Sequence, residues 1–129
     1  MDKSATRFLQ RKEHYLKALA LLEKQTNRND YEDENIAATL HFYETAFELA
    51  WKLLKDYLQL EGFIIKSPRE AIKKAFQINI IADGTLWIEM LDTRNNISHI
   101  YDEKMARNLF DKVKSTHVNA LKLLRDLQC

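Results

Sequence analysis

The chain has 129 residues, 46% of them apolar and 30% charged, with a formal charge of +1. That length makes a single domain, residues 1–129, whose core needs neither disulfide nor metal. Two glycines and one proline are too few for the tight turns of an all-β fold. The near-zero net charge excludes strong whole-molecule attraction to nucleic acid, so any RNA contact is local or built across two subunits.

The first helix is expected from about Ser4 to Gln25, with Phe8, Tyr15, Leu19 and Leu22 on one stripe and Leu9 and Leu16 beside it. Thr26 to Asp30 is polar and reads as a loop. The second helix spans about Asp33 to Glu61. Carboxylates at Asp30, Glu32, Asp33 and Glu34 favour the positive end of its dipole. Ile36, Leu40, Tyr43, Phe47, Ala50, Leu54 and Tyr57 recur at steps of four and three, a stripe that packs on other helices at a shallow angle. Gly62 stops it.

Ser67-Pro68-Arg69-Glu70 starts a short third helix ending near Gln77, with Ser67 as cap and Glu70 completing a capping box. Asp83-Gly84-Thr85 opens a fourth, burying Leu86, Trp87, Met90 and Leu91 and losing regularity near Asn95-Asn96. Asp102 caps the last, which runs to about Leu127 on Leu109, Val113, Ala120, Leu124 and Leu127. The fold class is all-α, an antiparallel up-and-down bundle of four or five helices. The stripe of the second helix, about 40 Å long, exceeds what one small bundle covers. A homodimer is therefore expected, with that helix or the fourth-helix junction near the two-fold axis.

The single cysteine, Cys129, excludes an intrachain disulfide and fits a reducing compartment as an inert thiol. Met1-Asp2-Lys3-Ser4 carries no apolar signal core, and no apolar run approaches the ~20 residues of a membrane span. The expected location is the cytoplasm.

The chemistry-bearing feature is Arg94-Asn95-Asn96-Ile97-Ser98-His99-Ile100-Tyr101, at the junction of two helices. An arginine grips phosphate through paired hydrogen bonds, and a histidine moves a proton near neutral pH. Singly, each residue has a plain reading: Arg94 in a surface ion pair with Glu89 or Asp92, His99 at a helix end, Tyr101 as a packing ring. An Arg-x4-His pair arises by chance in about one such chain in five, and with the tyrosine in about one in a hundred. The combination therefore outweighs its parts.

The motif resembles the signature of the HEPN superfamily, all-helical proteins that include many RNase toxins, and Asn95 matches the polar residue that often follows the arginine. The wider pattern is similar to the nucleotidyltransferase substrate-binding protein family. It is carried by Phe8-Leu9-Gln10-Arg11, by Tyr15 to Leu19, by Phe42 to Lys52, by Ser67 to Glu70, by Trp87 to Leu91 and by Ser98 to Asp102. Ile97 and Ile100 stand where threonines are expected, which removes two hydroxyls from the junction. The resemblance implies a dimeric helical bundle partnered by a minimal nucleotidyltransferase of the DNA-polymerase-β type. In related toxins the arginine and histidine cleave RNA, and the partner attaches AMP to the tyrosine. The family name implies instead a non-catalytic subunit that presents substrate to the transferase.

Two readings follow: a metal-independent endoribonuclease using Arg94 and His99 and silenced at Tyr101, or a non-catalytic binding and regulatory subunit. A third, purely structural reading has the junction residues only ending helices. Asn95, Glu44 and Glu48 are expected to support the site, the two glutamates by orienting His99. His41, Glu44 and Glu48 share a helical face, but no HExxH-type zinc pattern is present. Trp51 and Trp87 read as core rather than base-stacking platforms, and His14 and His117 as surface or boundary residues. Without GxxxxGK[ST] or GxGxxG, no glycine-rich nucleotide loop and no cofactor is expected. The paired carboxylates of a nucleotidyltransferase are also missing, so the chain is the partner, not the transferase.

Overall fold

A computed structural model describes residues 3–128. Met1, Asp2 and Cys129 lie outside the described residues, and with them the reading of Cys129 as an inert thiol and the first two residues of the N-terminal segment. Every regular element is helical: α1 (Lys3–Thr26), α2 (Asp33–Leu60), α3 (Pro68–Gln77), α4 (Gly84–Ile97), α5 (Glu103–Lys112) and α6 (Val118–Leu123). A π-helical turn, Val113–His117, joins α5 to α6, and a 3-10 turn, Leu124–Asp126, ends the chain's helical course. The backbone stays right-handed helical at each of these junctions. The expected last helix is thus one continuous rod with a π turn inside it.

α2 is the central element. α1 runs antiparallel to it, with the Phe8 ring 6.2 Å from that of Tyr57 and Arg11 Nε 2.9 Å from Asp56 Oδ2. α4 runs antiparallel along another side, placing Trp87 against Phe47 while the Tyr43 hydroxyl donates to the Met90 carbonyl at 2.6 Å. The C-terminal rod returns along α1, where the Tyr15 hydroxyl donates to the Leu121 carbonyl at 2.5 Å. Both tyrosines are fully buried. Each adds an apolar ring worth about 2 kcal/mol of burial and satisfies its hydroxyl on a neighbouring helix.

Ile36, Leu40, Tyr43, Phe47, Ala50 and Leu54 are all buried within one chain. The stripe that called for a dimer is therefore covered by α1, α4 and the C-terminal rod, and it no longer argues for a second copy. On α1, Phe8, Tyr15, Leu19 and Leu22 are buried while Leu9 and Leu16 stay exposed.

The expected end signals act locally. Ser67 Oγ accepts from the Glu70 N–H at 3.2 Å and Asp102 Oδ1 from the Met105 N–H at 2.7 Å. The Glu70 carboxylate reaches past the cap to the Lys66 N–H at 2.8 Å, one residue beyond the expected capping box. Gly62, at φ +94°, closes α2 in a Schellman arrangement: its N–H bonds to the Gln59 carbonyl and that of Phe63 to Leu58. Asn79, at φ +65°, does the same for α3 through Phe76 and Ala75. A side chain at position 84 would stand 2.9 Å from the Phe76 ring, so glycine lets α3 and α4 approach.

Candidate functional site

Three features hold the C-terminal half of α4. Tyr43 bonds the Met90 carbonyl, Trp87, Met90, Leu91 and Thr93 are buried, and Thr93 Oγ1 lies 3.0 Å from His117 Nε2. α4 continues through Asn95 and Asn96 to Ile97, past the expected loss of regularity, because the buried turn before them fixes its course. Arg94 therefore leaves a rigid helix rather than a loop. Only Ser98 to Asp102 forms the connection to α5.

Glu44, Glu48, Arg94, Asn95, Ser98 and His99 line one solvent-open pocket of about 400 Å³. The fold thus brings the expected pair and all three expected supporting residues together, and adds Ser98, whose hydroxyl donates to the Asn95 carbonyl at 3.0 Å. Arg94 is ion-paired through Nη2 with Glu48 Oε1, and its Nη1 donates to Asn95 Oδ1 at 2.9 Å. The plain alternatives for Arg94, Glu89 and Asp92, are not its partners. Glu89 faces Lys112 instead, at 3.9 Å. These contacts engage two of a guanidinium's five N–H donors. Glu48 is also 3.8 Å from Lys52.

The His99 ring is exposed and makes no hydrogen bond among the described residues, so Glu44 and Glu48 do not orient it here. Its backbone N–H donates to the Asn96 carbonyl at 2.9 Å and closes the last turn of α4. Tyr101 is 83% exposed, not a packing ring, and an enzyme could reach its oxygen without unfolding the chain.

His117 corrects the sequence reading. It is 0% exposed, with Tyr43 packed 5.6 Å from its ring. Both ring nitrogens have hydroxyl partners, Thr93 Oγ1 on Nε2 and Thr116 Oγ1 on Nδ1, each at 3.0 Å. Because the Thr116 hydroxyl donates to the Lys112 carbonyl, it accepts from Nδ1–H, which assigns the Nε2 lone pair to the Thr93 hydroxyl. Burial pushes the imidazole down to about 4, with the charge of Lys112 adding to the effect. His117 is thus a neutral strut under the residue that precedes Arg94. The π turn that carries it inward has no sequence signal.

Among the described residues no group of three His, Cys, Asp or Glu side chains could hold a metal ion, so His41, Glu44 and Glu48 do not form a metal cage. Trp87 is core. Trp51 is half-buried, with its Nε1–H inside the protein and without an acceptor among the described residues. Neither ring lines the Arg94–His99 pocket.

The all-helical bundle matches known proteins in both fold and sequence. A protein of Thermus thermophilus with a known crystal structure superposes with a TM-score of 0.80 at 28% identity, over 85% of this chain and 94% of that one. The family described as nucleotidyltransferase substrate binding protein like matches residues 10–128, and the chain belongs to it. It is also similar to a protein of Haemophilus influenzae named probable ribonuclease HepT, 24% identical over 102 residues, covering 75% of this chain and 70% of that protein. Among the described residues no helix is long and apolar enough to cross a membrane.

Proposed function

We propose that this chain is the HEPN-like partner of a minimal nucleotidyltransferase and a metal-independent endoribonuclease controlled by AMP transfer to Tyr101. The observation that carries the reading is the pocket in which Arg94, Asn95 and His99 meet in open solvent. The name of the Haemophilus influenzae relative supports the same reaction class. In the reaction, a ribose 2′-oxygen attacks the adjacent phosphorus and His99 takes its proton. The bond to the 5′-oxygen breaks, leaving a 2′,3′-cyclic phosphate and a 5′-hydroxyl. Arg94 stabilises charge on the non-bridging oxygens through donors not engaged by Glu48 and Asn95. Such a transesterification needs no metal. The test is incubation of the purified chain with RNA in excess chelator, with mapping of the product ends. Cyclic phosphate ends support the reading.

The leaving 5′-oxygen needs a proton while His99 holds the one it took. A second copy of the chain would supply a second histidine, so the functional unit is proposed as a homodimer with the two pockets facing. Sedimentation equilibrium at about 20 µM, where a stable homodimer persists, should give twice the chain mass. A monomer there removes this source of the second proton.

One observation favours the non-catalytic reading: Arg94 is already neutralised by Glu48, which weakens its pull on phosphate. If the unmodified chain cleaves no RNA with or without metal, a subunit that presents substrate to the transferase takes the place of the nuclease.

Tyr101 is the proposed acceptor because its ring stands exposed two residues beyond His99. Its oxygen would attack the α-phosphorus of ATP, expelling pyrophosphate and releasing the phenol proton to solvent. The new phosphate would add negative charge beside Arg94 and the N-terminus of α5. After incubation with the partner transferase, ATP and magnesium, mass spectrometry should find AMP on Tyr101 and none on a Tyr101→Phe chain. Equal modification of that variant would assign the acceptor elsewhere.

A further inference from the structure

A groove of about 610 Å³ runs between the N-terminal half of α2 and the start of α5, beside the Ile97–Ile100 connection. Ile36, Leu40, Ile97, Ile100 and Ala106 give it apolar walls. Asp33, Glu44, Asp102 and Glu103 set four carboxylates along it, against the one guanidinium of Arg107, which itself lies 4.3 Å over the Tyr31 ring. Glu44 lines both this groove and the Arg94–His99 pocket, so the two adjoin at that side chain.

We propose that this groove is the nucleobase subsite of the Arg94–His99 pocket and selects a base that carries an exocyclic amino group. The proposal rests on the nuclease reading and names its substrate preference. Glu44 and Leu40 are one helical turn apart on α2, about 6 Å of rise, comparable with the reach from a phosphate across one ribose to its base. A phosphate on Arg94 therefore leaves its base at the groove. The aliphatic walls suit the π-face of a base, which buries well between apolar side chains. The carboxylates repel phosphate from the groove itself and accept from N–H donors. Adenine, cytosine and guanine present such amino groups and uracil does not. A lysine-rich amphipathic peptide would match the same charge, but it gains nothing from an adjoining arginine that binds phosphate.

The probes are 2′-O-methyl oligoadenylate, oligouridylate and an abasic oligomer of equal length, none of which can be cleaved. Their binding to the full chain is read by fluorescence anisotropy. Oligoadenylate should bind at least about fivefold tighter than the abasic oligomer, the lower end of what one base contact contributes, and tighter than oligouridylate. Ala37→Trp, on an exposed position of α2 that lines the groove, should cancel that preference and leave abasic binding unchanged. Ala106→Leu fills the opposite wall and should do the same. Equal binding of all three oligomers, or a preference that survives both variants, overturns the subsite but leaves the nuclease reading intact. If none of the three oligomers binds, both the subsite and the nuclease reading fall. Binding of a lysine-rich amphipathic peptide, blocked by Ala37→Trp while oligomers ignore that variant, makes the groove a protein-docking surface and overturns the proposal.

Discussion

His99→Ala is expected to lower RNA cleavage by about 10²–10⁴-fold, the contribution of one positioned proton-transfer group. The ring is exposed and makes no hydrogen bond among the described residues, so the unfolding free energy from urea titration should stay within about 0.5 kcal/mol of wild type. Arg94→Ala should lose cleavage to a similar degree, because charge on the phosphate then meets no preorganised donor. It differs from His99→Ala in stability. Removing the guanidinium leaves the Glu48 carboxylate, 28% exposed, with only Lys52 at 3.8 Å. A cost of about 1 kcal/mol follows, discounted for that exposure. Arg94→Lys separates the two effects: it keeps the charge beside Glu48 but loses the planar fork, so stability should recover while cleavage does not. The measurements are initial cleavage rates on one RNA and urea titrations of each variant. Wild-type cleavage in either alanine variant removes that residue from the mechanism. A large loss of stability in His99→Ala would instead support the purely structural reading of the junction.

Acidification should destabilise the fold through His117. Its folded-state pKa of about 4 lies below the ordinary value of 6.5, so between those values the unfolded chain binds the proton and the native chain does not. The stability that His117 provides as a neutral strut is complete above about pH 6.5 and declines as the pH falls toward 4. The loss reaches about 2–3 kcal/mol at pH 4.5 by linkage. Carboxylates titrate in the same range, so the quantity to measure is the difference between wild type and His117→Gln in urea unfolding at pH 7 and pH 4.5. The variant should be less stable at pH 7, by about 2 kcal/mol for the disturbed buried hydrogen bonds, and its disadvantage should shrink or vanish at pH 4.5. A wild-type advantage of equal size at both pH values would mean that the histidine is not held neutral. Because Thr93 precedes Arg94 in α4, cleavage should fall in this variant as well, without loss of either reacting side chain.

The amino-acid sequence by itself determined the helices and their ends, because those depend on neighbours within four residues. Ser67 with Pro68 started α3, Asp102 capped α5, Gly62 stopped α2, and the steps of four and three in α2 selected the buried face. It also placed Arg94, His99 and Tyr101 near one junction, since five- and two-residue separations cannot put them far apart. What the stripe of α2 packs against was a tertiary decision. α1, α4 and the C-terminal rod close over it within one chain, which local periodicity cannot distinguish from closure by a second copy. The pairing of Arg94 with Glu48 rather than Glu89 or Asp92 was decided in the same way, since a residue on another helix outcompeted neighbours on its own. His117 shows the physical reason most directly. Its burial depends on a π turn, on Thr93 lying 24 positions away and on the Tyr43 ring. None of these is readable until α2, α4 and the rod are packed together.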